Sequence, residues 1–472
     1  MNINASIFRE YDIRGIAEKD LSADFARLLG KTYAEWAYQR TAEGKKLKFC
    51  VSMDCRLTSD AYASGLIQGL NEGGVDVVRI GTCPTPLTYF SIFHFNTDGG
   101  VMITGSHNPA NYNGFKICFG KDTLHGEQIQ ELKQVMLKGQ FTSRPKGTVT
   151  DAKIIDDYVN YVANQIKPKR KLKVVLDAGN GTASTVAPSL FEKMGADIIP
   201  LYCELDGRFP NHHPDPTVPD NLKALIAAVK ENKADFGIGY DGDSDRIGAV
   251  DENGKVIYGD ELMVIFSRNV LAQNPGATII SEVKSSNRLY QDIEKQGGKP
   301  LMWKTGHSLI KSKMKETKAL LAGEMSGHIF FADRWFGFDD AIYSSARLYE
   351  IVANHGAPLS TLIQDLKPVL NTPEIRIECV EEKKFALIEE AKVLLAGSAG
   401  KVTTIDGIRV DYDDRWGLIR ASNTQPVIVM RFEAQSEKLL NEIKTQFEAV
   451  LAAAANTIGH PPINFNEGNS GH

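Results

Sequence analysis

The sequence predicts an α/β protein with three tandem α/β domains of similar topology and a C-terminal α+β domain, set around a central cleft. Three observations predict it. The chain has 472 residues, several times the roughly 100–200 that one core usually serves. An apolar strand, a polar loop and a second apolar strand recur three times, around Ser106, Asp243 and Ser326. Repetition at such long intervals reads as copies of one supersecondary unit, each offering its loop to the shared cleft. Beyond Pro368 and Pro373 the pattern changes to strands and helices mixed without that repeat. The expected domains are 1–150, 151–254, 255–368 and 369–458, with 459–472 a flexible polar tail.

In the first domain, 49–52 reads as a strand and 59–73 as a helix closed by Gly73 and Gly74. Strand 75–80, helix 86–96 and strand 100–103 follow, then the Ser106 loop and strand 115–119. Segment 126–138 is amphipathic and helical, and Pro145 and Gly147 break the chain after it. In the second domain, strand 172–176 leads into the Gly-rich turn 177–182, whose G-N-G lacks the spacing of a dinucleotide fingerprint. Helix 185–194, strand 197–201, a Pro-rich loop at 206–219 and helix 221–232 follow. Segments 234–240 and 247–250 read as strands flanking the Asp243 loop. The third domain has helices at 260–272, 288–295, 308–315 and 340–353, and strands at 277–281 and near Leu301. The last domain has strands at 374–378, 407–412 and 426–432 and helices at 384–395 and 437–455.

The loops carry the chemistry. In Asp241-Gly242-Asp243-Ser244-Asp245-Arg246, three carboxylates crowd one turn between buried strands. Such crowding calls for a neutralising cation. Oxygen ligands alone suit a hard divalent ion, Mg²⁺ by default. A calcium EF-hand loop is an alternative, with Glu252 near its closing acid, but it needs Gly where Arg246 stands and helices where strands are expected. A solvated acidic turn is another. In Thr104-Gly105-Ser106-His107-Asn108-Pro109, with Lys116 nearby, Ser106 has a base and a cation beside it, the setting of a nucleophile or phosphate carrier. By itself Ser106 would read as an ordinary turn serine; the acidic triplet tips the balance. Gly323-Glu324-Met325-Ser326-Gly327-His328 offers Glu324, Ser326 and His328 to sugar hydroxyls, although Glu324 alone would read as a solvated charge. Arg420-Ala421-Ser422-Asn423-Thr424-Gln425 gathers donors for a phosphate dianion.

Composition narrows the classes. A net charge of -5 and 42% hydrophobic residues describe a globular protein with no basic face for nucleic acid. No apolar run approaches the roughly 20 residues of a membrane helix. Residues 1–12 hold no apolar signal core, so export is not expected. Six scattered cysteines without metal-type spacing read as reduced thiols of a cytoplasmic protein.

Taken together and in order, the loops resemble those of the alpha-D-phosphohexomutase family. Phe8 to Gly15, F-R-E-Y-D-I-R-G, resembles its opening motif, T-G-S-H-N-P its phosphoserine loop and D-G-D-S-D-R its Mg²⁺ loop. G-E-M-S-G-H resembles its sugar-reading loop and R-A-S-N-T-Q-P its phosphate-binding loop. G-E-M-S-G-H with S-N-T is similar to the phosphomannomutase/phosphoglucomutase branch; the phosphoglucosamine branch typically carries Gln in the sugar loop and Gly where Asn423 stands. Gln425 departs from the usual Glu.

The resemblance implies four domains, three of them α/β copies, and an isomerase that moves phosphate between O1 and O6 of glucose and mannose phosphates. It implies a phosphorylated Ser106, a hexose 1,6-bisphosphate as intermediate and activator, and Mg²⁺ held by Asp241, Asp243, Asp245 and Ser106. His107, Lys116, Arg246 and His328 would surround the moving group, with Lys116 and His328 candidates for proton transfer. Tyr11, Arg14, Lys284, His307, Glu324 and Ser326 would contact substrate. Arg420, Ser422, Asn423 and Thr424 would hold the phosphate that does not react. Phosphoglucosamine mutase, a Mg²⁺-dependent sugar-phosphate phosphatase and an inactive sugar-phosphate sensor are the alternatives. The partners are small hexose phosphates, and monomer and dimer both remain open.

Overall fold

The computed structural model describes residues 4–423 and 425–465. Its contacts divide the chain into two units, Met1–Thr278 with Gly306–Gln364, and Ile279–Thr305 with Asp365–His472. Segment 255–368, one domain along the sequence, thus contributes to both. Four groups of mixed α and β elements are present, as the fold class predicts.

In the first unit, strands Val149–Asp151, Asp76–Thr82, Lys48–Met53 and Gly99–Ile103 lie side by side in parallel. Tyr112–Phe119 adds antiparallel to Gly99–Ile103, and Ile13–Ile16 antiparallel to that. A second sheet repeats the plan. Asp197–Leu201, Lys173–Asp177 and Phe236–Tyr240 are parallel, and Ile247–Asp251 and Val256–Ile257 return antiparallel. Gly99–Ile103 and Phe236–Tyr240 are buried at every residue, which is why they read as continuous apolar runs. Leu321–Gly323 and Ile329–Phe331 pair as a third antiparallel hairpin. The three polar loops occupy equivalent places, each leaving a buried strand and returning antiparallel to it. In the two parallel sheets that is the C-terminal edge, where α/β folds collect ligands.

Helix Ala23–Tyr38, which the pass along the sequence leaves unassigned, starts at Ser22, whose side chain accepts from Phe25 N at 3.1 Å. It packs backbone to backbone on Ser59–Glu72. A Cβ on Gly69 would lie 2.0 Å from the Arg27 carbonyl oxygen, and one on Gly30 2.3 Å from that of Leu66. The glycines that permit this approach also weaken the helical pattern in the sequence. Helix Ile155–Gln165 is likewise additional to the sequence reading.

In the second unit, Leu370–Asn371, Val427–Ala434, Arg415–Ala421, Ile408–Asp411 and Lys401–Thr403 form an antiparallel sheet, with Ile375–Glu378 also on Val427–Ala434. Phe447 and Leu451 of helix Glu437–Thr457 seal its core against Phe432. Arg409 is buried, stacks 3.8 Å over the Trp416 ring and donates to the Val283 and Ser285 carbonyls at 2.5 and 2.8 Å. Within the segment expected to be a tail, Ile463 and Phe465 pack against this same core; 466–472 lies outside the described residues. All six cysteines are free thiols. Among the described residues no helix is long and apolar enough to cross a membrane.

Candidate active site

Ser106 sits in a left-handed backbone conformation, φ 49°, with 2% of its surface exposed. Such a conformation in a residue with a side chain must be held by its surroundings. Arg56 holds it. Its buried guanidinium donates to the carbonyls of Ser106, Asn108, Pro109 and Tyr112 at 2.5–3.0 Å. Asp54 positions that guanidinium at 3.1 Å and accepts from Gly105 N. Gly105 is required there, because a Cβ would fall 2.5 Å from the Arg56 Cζ. The Ser106 hydroxyl is left facing His107 Nδ1 at 3.0 Å and Asp241 Oδ2 at 3.1 Å.

The aspartate turn lies between strands Phe236–Tyr240 and Ile247–Asp251, which excludes the helix-flanked EF-hand. Asp241, Asp243, Ser244 and Asp245 are fully buried, which excludes the solvated turn. Thr85 N donates to the Asp243 carbonyl at 2.9 Å and Ile247 N to the Gly327 carbonyl at 3.0 Å, clasping the turn from both sides. Lys116 Nζ reaches Asp243 Oδ2 at 2.7 Å and also Asp245. Part of the neutralisation that the sequence assigns to a cation is therefore supplied by the chain.

The rest is not. Asp243 Oδ1 and Asp245 Oδ1 are buried without a hydrogen-bond partner. One carboxylate oxygen from each of Asp241, Asp243 and Asp245 falls within 4.8 Å of the others. Burial and its two acidic neighbours push Asp241 well above the usual carboxylate range. For Asp243, burial is outweighed by Lys116 and Thr85, and the carboxyl falls below that range. Buried, unpaired, oxygen-only donors fit a hard divalent cation.

The third loop arrives by a strand-like bridge between Arg246 and His328. Gly327, at φ 88°, allows it, since a Cβ would meet the Ile247 carbonyl oxygen at 2.4 Å. Arg246 Nε donates to His328 Nε2 at 3.1 Å. The His307 ring stacks on His328, with centroids 5.4 Å apart, and Tyr11 meets His307 edge-on at 5.6 Å. Glu324 is buried rather than solvated and accepts from Gly306 N at 2.6 Å. Ser326 is half-buried in the same turn. Arg14 bridges Asp12 and Asn108, each at 2.5 Å, and so stands beside the Ser106 loop.

In the second unit, Arg420 and Ser422 flank the end of strand Arg415–Ala421 and are 6% and 8% exposed. Arg420 Nε pairs with Asp406 at 3.1 Å. Ser422 Oγ accepts from Gln425 N at 3.2 Å, and the Gln425 side chain accepts from Arg376. Asn423 lies in the same bend, while Thr424 lies outside the described residues. Lys284 is buried and bonded to Glu374 at 2.6 Å.

Five further residues belong to the first unit's site. Arg56, Asp54 and Thr85 hold the loops, and Lys311 and Asp339 stand behind the histidines. The sequence signals them faintly, as a D-x-R directly after strand 49–52 and twin aspartates after an aromatic run.

Known proteins resemble this chain over nearly its whole length. Family profiles described as phosphoglucomutase/phosphomannomutase match four consecutive stretches: alpha/beta/alpha domain I over 5–143, domain II over 156–254, domain III over 258–369 and the C-terminal domain over 374–450. A phosphomannomutase/phosphoglucomutase of Pseudomonas aeruginosa is 47% identical over 457 residues, covering 97% of this chain and 98% of the relative. A phosphoglucomutase of Neisseria meningitidis is 44% identical, with coverage of 97% and 99%. The crystal structure of a phosphoglucomutase/phosphomannomutase family protein from Burkholderia thailandensis superposes with a TM-score of 0.90 at 42% identity, over 96% of this chain and 98% of that one. Four profiles in order along one chain and near-full-length relatives at up to 48% identity lead to one conclusion: the chain belongs to the phosphoglucomutase/phosphomannomutase family of phosphohexomutases.

Proposed function

We propose that this enzyme interconverts the 1- and 6-phosphates of glucose and mannose through a phosphorylated Ser106 and a hexose 1,6-bisphosphate. One observation carries the reading: the Ser106 hydroxyl lies 3.1 Å from a carboxylate of a buried triplet that still has unpaired oxygens. A phosphoryl group on that oxygen would sit against the triplet. Asp241, Asp243 and Asp245, joined by the Ser106 phosphate, would hold Mg²⁺, which when bound neutralises charge on the transferring group.

The chain's own residues do the rest. A sugar hydroxyl oxygen forms a bond to phosphorus as the Ser106 Oγ–P bond breaks. Its proton passes to His328 Nε2, which exchanges the hydrogen bond it accepts from Arg246 Nε for the one from the hydroxyl. Lys116, Arg246 and Arg14 supply positive charge around the moving group. Glu324 and Ser326 bind sugar hydroxyls common to glucose and mannose, and His307 and Tyr11 line the same place. The bisphosphate then turns over and returns its other phosphate to Ser106. Lys284, Arg420, Ser422, Asn423 and Thr424 hold the phosphate that is not reacting. The free thiols fit a cytoplasmic setting.

The test is a coupled assay with glucose 1-phosphate and mannose 1-phosphate, Mg²⁺ and catalytic bisphosphate. Formation of both 6-phosphates is expected. Glucosamine 1-phosphate turned over in preference would reassign the substrate, release of inorganic phosphate would make the protein a phosphatase, and no turnover would make it a sensor.

A second expected result concerns Arg420. Removing a charge-assisted contact to a dianion costs about 1.5–3 kcal/mol of binding. Arg420→Ala should therefore raise KM for both hexose phosphates roughly tenfold to a hundredfold and lower kcat, because the same grip orients the sugar. Mg²⁺ affinity should not change. Steady-state kinetics beside wild type decide it, and unaltered constants would leave the loop a structural turn.

A further inference from the structure

Lys284 sets one positive charge between two carboxylates. Its Nζ donates to Glu374 at 2.6 Å and lies 3.4 Å from an oxygen of Glu282. Burial would lower its pKa, but Glu282 and Glu374 outweigh burial and raise it, while Arg420 is near enough to oppose them. A phosphate dianion brought to Lys284 therefore meets two negative charges against one, and one acid has to give way. Glu282 is held in place: it is fully buried, and Thr305 Oγ1 donates to its other oxygen. Asp406, the partner of Arg420, is also tied, accepting from Thr305 N at 3.0 Å. Glu374 is different. It stands between Pro373 and strand Ile375–Glu378, with 26% of its side chain exposed. Its second oxygen already accepts from Arg376 at 3.4 Å. Arg376 also donates to the Gln425 side chain at 2.7 Å. Gln425 is neutral, so among the described residues Glu374 is the one acid that Arg376 engages.

We infer that Glu374 is a movable counter-ion that competes with the phosphate for Lys284 and passes to Arg376 when the phosphate binds, and so sets how firmly that phosphate is gripped. This rests on the reading of Lys284 as a contact of the phosphate that is not reacting. Burial would raise the Glu374 pKa, but Lys284, then Arg376 and Arg431, pull it down to about 2. Near neutral pH the carboxylate therefore stays charged and can yield only by moving. Exchange of one cation for another keeps Glu374 paired at both ends of the motion, where an unpaired carboxylate would be strongly disfavoured. A grip weakened in this way suits a reaction whose bisphosphate must release one phosphate to present the other.

Glu374→Gln removes the competing charge and keeps an acceptor for Lys284. It should lower KM for glucose 1-phosphate, and the inhibition constant of orthophosphate, roughly threefold to tenfold; loss of a merely structural pair would not tighten either. Arg376→Ala takes away the alternative partner at an exposed side chain and should raise both constants by a similar factor. In the double variant Glu374→Gln/Arg376→Ala the effect of the second change should vanish, whereas an Arg376 that touched the phosphate itself would still lose affinity. Unchanged or raised constants in Glu374→Gln overturn the proposal, as does an Arg376→Ala effect that persists at full size in the double variant. If Glu374→Gln fails to fold, Arg376→Ala decides alone, and unchanged constants there overturn it. Lys284→Met with unaltered constants would instead refute the reading of Lys284 on which the proposal rests.

Discussion

Ser106→Ala should leave a folded protein that binds hexose phosphate and does not turn it over. The loop keeps its shape, because Arg56 grips backbone carbonyls that alanine retains. Ser106 N still donates to Thr104 Oγ1, and the left-handed φ is occupied by a residue with a Cβ in either case. What disappears is the only oxygen the mechanism gives for carrying phosphate. With the covalent route gone, turnover should fall by roughly 10⁴-fold or more, the range seen when a catalytic nucleophile is deleted. Intact-mass measurement after incubation with glucose 1,6-bisphosphate should show one phosphoryl group on the wild type and none on the variant. Equal labelling of both would take Ser106 out of the reaction. The melting temperature should stay close to that of wild type, since the hydroxyl's two partners, His107 and Asp241, lie in the site and not in the core.

Asp243→Asn should nearly abolish activity through the cation. Asp243 Oδ2 is occupied by Lys116 and Thr85, at 2.7 and 2.5 Å, while Oδ1 has no partner. Replacing the carboxylate by an amide removes one unit of charge and leaves Lys116 with Asp245 alone. The triplet then binds a divalent ion weakly. A contribution of several kcal/mol to the transition state, about 10³-fold in rate, goes with it. Calorimetric titration with Mg²⁺ should show binding by wild type and little or none by the variant. Full wild-type activity in excess chelator would contradict the whole account of the triplet.

The loops proposed to do the chemistry were legible because each is contiguous. T-G-S-H-N-P, D-G-D-S-D-R and G-E-M-S-G-H each place their groups within six residues, flanked by apolar strands whose burial shows as an unbroken run. The repeat of strand, loop, strand was visible for the same reason, and it is realised as three antiparallel returns from buried strands. Helix Ala23–Tyr38 was not, because its stability comes from packing against Ser59–Glu72 through glycines that count against a helix locally. Glu324 read alone as a solvated charge; its burial is decided by Gly306 N, 18 positions away.

The amino-acid sequence by itself determined the fold class and the family, and it singled out the serine proposed to carry phosphate and the acidic turn proposed to take a cation, since each depends on residue types adjacent along the chain. Only the tertiary structure decided how those groups are charged and aimed. Lys116 meets Asp243 across 127 positions, Arg56 grips the serine loop from 50 or more away, and Thr85 reaches Asp243 across 158. Asp339 stands behind His328 because Phe330 and Asp339 bridge antiparallel. Such pairs leave no period or spacing to read. They exist because burying charge requires a partner at hydrogen-bond distance, and which partner arrives is settled by how the strands and loops pack.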